Sequence, residues 1–181
     1  MKEILLVDQD GVLADYEESF LRIWRARHPD KVWIPIEERV MHNVDEQYPI
    51  ELKPLIRKII DGKGFYRNLK PIDGAVEALK ELKGHYDVFI CTSPAKKYPN
   101  CVTEKYEWVD EHLGNEWTQR VILTRDKTLI TGKYLIDDKP EIKGMAVPSW
   151  EQIFYDWPYN RKLDKKRIRW NDESWRDVLL S

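Results

Sequence analysis

The stretch ILLVDQDGVLAD, residues 4–15, decides the fold. It begins with a continuous apolar run, Ile4–Val7, which is typical of a short strand buried on both faces of a sheet. Asp8 and Asp10 follow at once, and Gly11 allows the chain to turn sharply away from the strand. A buried strand that ends in carboxylates is typical of the edge at which α/β proteins bind their ligands.

Three further short apolar runs predict strands, at residues 86–91, 120–123 and 134–136. Helical patterns lie between them at residues 74–83 and 104–113, and a glycine follows each pattern as a stop signal. Strands that alternate with helices predict an α/β fold with a parallel sheet and right-handed crossovers.

The gap between the first two predicted strands is too long for a single crossover. It carries helical patterns of its own at residues 16–27 and 50–60. We therefore predict a core formed by residues 1–15 and 71–181, with residues 16–70 inserted as a small helical cap over one end of the sheet. In the basic, Trp-rich region from residue 148 onward, the pattern predicts only a terminal helix over residues 172–180.

Each predicted strand is followed directly by residues able to do chemistry: Asp8 and Asp10, then Thr92 and Ser93, then Lys127, then Asp137 and Asp138. Because the carboxyl ends of parallel strands meet at one edge, these four groups are expected to converge. A single carboxylate after a strand is as often a loop residue or helix cap as a functional group, and Asp15 and Asp126 are expected to be cap or surface residues.

The residue types in these groups indicate phosphoryl transfer. Crowded carboxylates need a counter-ion, and oxygen ligands favour Mg²⁺. Hydroxyl and ammonium groups suit phosphate oxygens. One aspartate can attack phosphorus, and a second, two residues on, can act as general acid and base.

Composition excludes several classes of protein. The 181 residues include 30 Lys and Arg and 32 Asp and Glu, which gives a net charge of −2. This charge argues against a protein whose main function is to bind polymeric nucleic acid. Two cysteines, Cys91 and Cys101, cannot form a disulfide framework or a four-ligand zinc site. The N-terminal apolar run is too short for a signal peptide, and no apolar stretch is long enough for a membrane span. A cytoplasmic location is expected.

Seven segments, in order, resemble the 5′(3′)-deoxyribonucleotidase family of the haloacid dehalogenase superfamily: DQDGVLAD, GAVEALKEL, CTSP, EKYEWV, VILTRDKT, LIDDKP and PSWEQI. The resemblance implies a Rossmann-like parallel sheet with a small helical cap inserted after the first strand. It also implies Mg²⁺-dependent dephosphorylation of deoxyribonucleoside monophosphates through an aspartyl-phosphate. The expected partner is a nucleoside monophosphate, with no polymeric nucleic acid and no membrane, and a homodimer is left open.

The resemblance also assigns roles to residues of the core. Asp8 is the expected nucleophile and Asp10 the general acid and base. Asp8, the backbone carbonyl of Asp10 and Asp138 are expected to hold Mg²⁺, with Asp137 orienting that group of ligands.

Phosphate is expected to bind Thr92 and Ser93 together with a lysine. Lys127 is favoured because it follows a strand at the same edge as the other motifs. Lys105 is the alternative, although it lies within a predicted helix and is less constrained to point inward. Lys96 is a third candidate, in a loop where lysines are usually solvated.

In the inserted segment, Tyr16, His42, Asn43 and Val44 are the expected substrate contacts. Family members that prefer pyrimidines place aromatic residues against the base, and His42 and Asn43 stand at those positions here. The base preference is therefore open, and an ordinary surface histidine is an alternative for His42.

Two other functions remain alternatives from the sequence. One is a receiver-like phospho-acceptor signalling domain, which also uses acidic residues and Mg²⁺ but lacks the Asp-x-Asp pair followed by a cap. The other is a phosphatase of the same superfamily that acts on a different small phosphomonoester.

Overall fold

A computed structural model describes residues 1–95, 97–172 and 174–181. Within these residues the sheet has six strands: β1 (Ile4–Val7), β2 (Asp87–Thr92), β3 (Val121–Leu123), β4 (Tyr134–Asp137), β5 (Glu151–Tyr155) and β6 (Arg167–Ile168). They are all parallel and lie in the order β3-β2-β1-β4-β5-β6. The predicted α/β class with a parallel sheet is confirmed.

The strand β1 lies at the centre of the sheet, where the strand order reverses. Val7 pairs with Ile90 of β2 on one side and with Ile136 of β4 on the other. In sheets of this type the connections leave such a point in opposite directions and open a crevice at the carboxyl ends of the strands. The residues that follow β1, β2 and β4 all face this crevice.

The strands β1 to β4 coincide with the predicted apolar runs to within one residue, whereas β5 and β6 were not predicted. The strand β6 is only two residues long and begins with Arg167 in a basic stretch. No apolar run marks it, because its one apolar residue, Ile168, lies between Arg167 and Arg169, which form ion pairs with Asp156 after β5. Such long-range pairing leaves no local pattern.

The helices are α1 (Tyr16–Arg27), α2 (Lys53–Ile60), α3 (Ala75–Leu82), α4 (Cys101–Leu113), α5 (Asn115–Thr118) and α6 (Ser174–Leu179). The helix α1 begins as predicted after Asp15, whose carboxylate accepts a hydrogen bond from the Glu18 amide at 3.0 Å. A single helix was predicted over 50–60, but a 3₁₀ turn, Ile50–Leu52, precedes α2. Pro54 lies in the first turn of α2, where its missing N–H costs no helical hydrogen bond.

No helix in the described parts of the chain combines the length and apolar character needed to cross a bilayer.

The segment of residues 16–70 leaves and rejoins the sheet at adjacent points. The Asp15 amide donates to the Lys70 carbonyl at 2.8 Å, and the Ile72 amide donates to the Leu13 carbonyl at 2.8 Å. The segment also has an aromatic centre, in which Trp24 stacks on Phe20 at 6.1 Å between ring centroids. The two connections between the segment and the sheet are thus held together, and residues of the segment line the same cleft as Asp8 and Asp138.

Candidate active site

A cleft of about 620 Å³ opens at the carboxyl ends of β1, β2 and β4, between the sheet and the segment 16–70. Every predicted site residue that the structure describes lines it, apart from Lys105: Asp8, Asp10, Tyr16, His42, Asn43, Val44, Thr92, Ser93, Lys127, Asp137 and Asp138. Lys96 lies outside the described residues. Residues separated by up to 130 positions in the sequence therefore meet at one site.

The loop after β1 brings Asp8 against the end of β4. The Asp8 amide still donates to the Ile136 carbonyl at 2.9 Å, so the start of the loop is held to the sheet. Gly11 then has a φ of 76°, in the left-handed region that favours glycine. A side chain at Gly11 would also collide with the carboxylate of Asp138. Glycine at this position therefore allows the loops after β1 and β4 to pack together.

Three carboxylates form the acidic centre of the cleft. Asp8, Asp137 and Asp138 each offer an oxygen, and these oxygens lie within 4.8 Å of one another. Asp137 and Asp138 are buried. Closely spaced, buried carboxylates repel one another unless cations offset their charge, and their hard oxygens suit Mg²⁺. The donor set thus fits a divalent cation.

Lys127 contributes one of these cations from a 3₁₀ turn, Lys127–Leu129. Its Nζ lies 2.8 Å from Asp8 Oδ1 and 2.6 Å from Asp137 Oδ2. Burial alone would lower the pKa of Lys127, but the ion pairs with Asp137 and Asp8 outweigh it and raise the pKa. The lysine is therefore charged in the cleft and lies next to the candidate nucleophile.

Lys105 reaches the same centre from α4. Its side chain is fully buried, and its Nζ lies 2.6 Å from Asp10 Oδ2 and 2.8 Å from Thr92 Oγ1. Sequence reasoning placed this lysine in a helix without a forced direction; in the structure it points inward behind the cleft. Lys105 and Lys127 thus hold different aspartates, Lys105 contacting Asp10 and Lys127 contacting Asp8.

Asp10 differs from Asp8 in its surroundings. Burial raises the pKa of Asp10, an effect that Lys105 opposes. Its Oδ1 is buried and has no hydrogen-bond partner among the described residues. A carboxyl group whose protonated form is favoured in this way is suited to giving a proton to a departing oxygen.

Asp138 is held by residues that sequence reasoning missed. The Tyr159 hydroxyl donates to Asp138 Oδ2 at 2.5 Å, and Asn160 Nδ2 donates to the Asp138 carbonyl at 2.9 Å. His42 Nε2 lies 3.7 Å from the same Oδ2. Burial alone would raise the pKa of Asp138, but His42 and Tyr159 lower it. The two residues that were missed, Tyr159 and Asn160, lie in the turn that follows β5, so recognition of that strand would have pointed to them.

His42 occupies this position because a buried arginine holds its loop. Arg39 forms an ion pair with Glu17 of α1, and both side chains are almost completely buried. The same guanidinium donates to the Met41 carbonyl at 2.9 Å and to the His42 carbonyl at 3.3 Å. Burial raises the pKa of Glu17 to about 7, although Arg39 opposes the shift. Thus His42 lies at the acidic centre rather than at the outer end of the cleft.

Aromatic side chains form part of the wall of the cleft. Tyr16 packs edge-on against Phe65 at 5.3 Å and lies 6.4 Å from Tyr66, between ring centroids. Val44 is buried in the same wall, and Asn43 donates to Glu46 Oε1 at 2.7 Å. Tyr66 also lines the cleft but was not among the predicted residues. No periodic pattern in its neighbourhood distinguishes it from a core aromatic.

Solved structures with a similar fold are haloacid dehalogenase-like hydrolases. A family hydrolase from Deinococcus radiodurans, solved with phosphate and sodium, has a TM-score of 0.59 at 13% identity and covers 98% of this chain and 95% of its own. A Bacillus subtilis protein provisionally assigned to these hydrolases, solved bound to magnesium, has a TM-score of 0.58 at 12% identity, covering 98% and 99%. The fold defines the class: a hydrolase fold of the haloacid dehalogenase type.

Sequence comparison identifies the family within that class. The family described as "5' nucleotidase, deoxy (Pyrimidine), cytosolic type C protein" matches residues 2–180. The human cytosolic-type 5′(3′)-deoxyribonucleotidase is 43% identical, covering 98% of this chain and 93% of its own. A Bordetella pertussis protein provisionally given the same name is 51% identical, covering 97% and 95%. The chain belongs to the 5′(3′)-deoxyribonucleotidase family, as its motifs predicted.

Proposed function

We propose that the protein is a Mg²⁺-dependent phosphatase that releases phosphate from deoxyribonucleoside monophosphates through an aspartyl-phosphate on Asp8. The observation that carries the proposal is the single cleft in which Asp8 lies beside Lys127 and within reach of Asp137 and Asp138. The names of the relatives, 5′(3′)-deoxyribonucleotidases that match nearly the whole chain, supply the substrate class.

The metal would be held by Asp8, Asp138 and the backbone carbonyl of Asp10. Asp137 would orient this set, since its Oδ2 is taken by Lys127 and its Oδ1 accepts from the Lys139 amide at 2.9 Å. When bound, Mg²⁺ supplies positive charge that offsets the carboxylates and the phosphate oxygens.

The reaction would run in two displacements on this chain. The Asp8 carboxylate attacks phosphorus and the bond to the leaving oxygen breaks, while protonated Asp10 gives its proton to that oxygen. The Asp10 carboxylate then takes a proton from water, and the resulting hydroxide attacks phosphorus and breaks the bond to Asp8. The products are a nucleoside and inorganic phosphate, and both aspartates return to their starting states.

The phosphate oxygens would be bound by Thr92, Ser93 and Lys127. Lys127 faces the cleft, whereas the Lys105 ammonium is fully buried between Asp10 and Thr92. We therefore assign charge neutralisation of the phosphate mainly to Lys127. Lys105 would not contact the phosphate itself but would orient the Thr92 hydroxyl and the Asp10 carboxylate.

The segment 16–70 would act as a cap that excludes water and holds the nucleoside. Tyr16 and Val44 line the cleft, and the apolar side chain of Val44 would leave a ribose 2′-hydroxyl beside it without a partner. Asn43 offers a polar group to the base from the same wall, and His42 would contact the substrate nearer the phosphate. This arrangement favours 2′-deoxy sugars and leaves base choice to the polar residues.

The experiment that tests the proposal is steady-state phosphate release from matched deoxyribo- and ribonucleoside monophosphates. The wild type is expected to turn over deoxyribonucleotides many times in Mg²⁺ and to lose that activity in excess chelator. Asp8→Asn removes the nucleophile, so its turnover is expected to fall by roughly three orders of magnitude or more with the fold intact by circular dichroism.

Asp15→Asn is the matched control, because Asp15 is a nearby carboxylate that caps α1, and asparagine caps helices equally well. It should retain wild-type turnover. A single stoichiometric phosphorylation without turnover would instead indicate a receiver-like domain. If Asp8→Asn keeps a tenth of wild-type activity, the assigned nucleophile is wrong.

A further inference from the structure

The turn after β5, residues 157–160, touches both loops of the acidic centre. Trp157 Nε1 donates to the Gly11 carbonyl, in the loop after β1, at 2.6 Å. The Tyr159 hydroxyl donates to the carboxylate of Asp138, in the loop after β4, at 2.5 Å. We call residues 157–160 the β5 turn. It contributes no carboxylate of its own, yet it contacts both loops that carry the proposed metal ligands.

Asn160 fixes the base of the β5 turn. Its side chain is completely buried, and its Nδ2 donates to the carbonyls of both Asp138 and Tyr155 at 2.9 Å. Its Oδ1 accepts from the Trp157 amide at 3.3 Å. A buried amide with its hydrogen bonds satisfied has one favoured orientation, so the backbone of Asp138 has a defined position relative to the turn.

The Tyr159 ring is held on more than one side. It lies edge-on to His42 at 5.6 Å and nearly parallel to Trp157 at 6.4 Å, between ring centroids. The Arg39 guanidinium lies 6.0 Å from its centre. A buried phenol fixed in this way presents its hydroxyl in one direction, and little water competes for the bond to Asp138.

The two oxygens of Asp138 consequently differ. Oδ2 accepts from Tyr159, lies 3.7 Å from His42 and packs against Gly11. No described residue donates a hydrogen bond to Oδ1, which leaves that oxygen to a cation. Because its other oxygen is already hydrogen-bonded, the Asp138 carboxylate cannot rotate freely. It therefore loses less conformational entropy when the metal binds.

We propose that Tyr159 is a positioning residue that orients the Asp138 carboxylate and presents its Oδ1 to the divalent cation. The inference rests on the proposed function, since it assumes that Asp138 is a metal ligand. It adds that the affinity of the site for the divalent cation depends on a hydroxyl group in the β5 turn, outside the four loops that follow β1 to β4. The Tyr159 ring packs in the core, and the hydroxyl performs the positioning.

Tyr159→Phe separates these two contributions, because it removes the hydroxyl and keeps the ring. Mn²⁺, which prefers the same oxygen ligands as Mg²⁺, is titrated into the apo protein, and free Mn²⁺ is measured by electron paramagnetic resonance. Outer partners of metal ligands typically contribute 10–100-fold in affinity, so the variant is expected to bind Mn²⁺ roughly tenfold more weakly. The Mg²⁺ concentration for half-maximal activity should rise by a similar factor, with kcat at saturating Mg²⁺ within a few-fold of wild type.

Tyr86→Phe is the matched control. Tyr86 is buried, and its hydroxyl donates to the Leu179 carbonyl at 2.5 Å, away from the cleft. This variant loses an equivalent hydrogen bond and should bind Mn²⁺ with wild-type affinity. Thermal unfolding of both variants separates a general loss of stability from a specific effect on the metal site.

The outcomes distinguish the two claims. If the wild type binds Mn²⁺ and Tyr159→Phe binds it within twofold of wild type, the positioning role is wrong and the proposed function stands. A similar loss of affinity in Tyr86→Phe also overturns the positioning role, because it shows a general effect of destabilisation. A wild type that binds no Mn²⁺ at all overturns the metal-dependent function and the inference together.

Discussion

At the scale of single residues, Asp8 and Asp10 have different surroundings, which support the different roles that we propose for these two identical side chains. Asp8 forms an ion pair with Lys127, with Oδ1 and Nζ 2.8 Å apart. Burial raises the pKa of Asp10, and its free oxygen lies within the site. Two carboxyl groups in contrasting environments are the usual basis for assigning a nucleophile and an acid.

Replacing Asp10 with asparagine tests this division. Asp10→Asn cannot protonate the leaving alkoxide, so single-turnover cleavage of a deoxyribonucleotide should slow by roughly 10²–10⁴-fold. An aryl phosphate has a good leaving group and should recover most of the first step, while breakdown of the phosphoenzyme stays slow. Rapid-quench measurements of both substrates supply the rates. Equal losses for the nucleotide and the aryl phosphate would contradict the acid role.

At the scale of elements, a cluster of ion pairs adds to the apolar contacts that hold the C-terminal end of the sheet, where Ile168 is buried in the core. Asp156, which follows β5, accepts from Arg161 at 3.0 Å, from Arg167 at 3.1 Å and from Arg169 at 2.7 Å. Arg167 and Arg169 belong to β6 and the residue just after it. Partial burial alone would raise the pKa of Asp156, but the hydrogen bonds from the three arginines lower it to about 2.

This cluster predicts a pH-dependent contribution to stability. Because the folded pKa of Asp156 is below its unfolded value of about 4, the contribution is present above pH 4 and is lost as the pH falls toward 2. Asp156→Asn should therefore lower the free energy of unfolding by about 1–2 kcal/mol at pH 7, since the arginines are partly exposed and solvent screens them. The difference from wild type should shrink between pH 4 and 2.

Urea unfolding at several pH values measures this effect. The exposed Asp164→Asn nearby is the control and should change stability by less than about 0.5 kcal/mol at every pH. If the difference in the free energy of unfolding between Asp156→Asn and the wild type stays constant down to pH 2, packing and not charge stabilises this end of the sheet.

At the scale of the whole molecule, the cleft has two sides that come from different parts of the chain. The sheet supplies the carboxylates, the hydroxyls and Lys127, to which the proposed function assigns the phosphate. The segment 16–70 supplies Tyr16 and Val44, to which it assigns the nucleoside. Changes in the cap should therefore alter substrate choice without altering the chemistry.

Tyr16→Ala tests the separation. Loss of its contact area is expected to lower kcat/KM for deoxyribonucleotides by roughly 10–100-fold, equivalent to about 1–3 kcal/mol. A small aryl phosphate, which is too short to reach this wall, should lose less than about threefold. The measurement is kcat/KM of Tyr16→Ala and of the wild type with each of the two substrates. Equal losses would mean that Tyr16 supports the catalytic loop and not the nucleoside.

The sequence alone determined the α/β class, the family and the positions of the four motif groups. These features are local: a run such as Ile4–Val7 is recognisable because it is buried on both faces, and the polar residues come directly after it. Since parallel strands end at one edge, their convergence could be predicted before any contact was known. The length of segment 16–70 and its helical patterns predicted an insertion between the first two strands.

Only the tertiary structure decided which neighbours those groups have. Lys105 points at Asp10 because α4 packs with that face toward the sheet, and periodicity cannot specify such a direction. The β5 turn was missed because β5 itself was not recognised as a strand, so no pattern placed the residues after it at the carboxyl edge of the sheet. Tyr159 therefore looks like any other aromatic in the sequence, and its contact with Asp138 exists only because packing joins positions 21 residues apart. A local pattern reports which residues are buried, whereas the folded chain determines the atoms they are buried against.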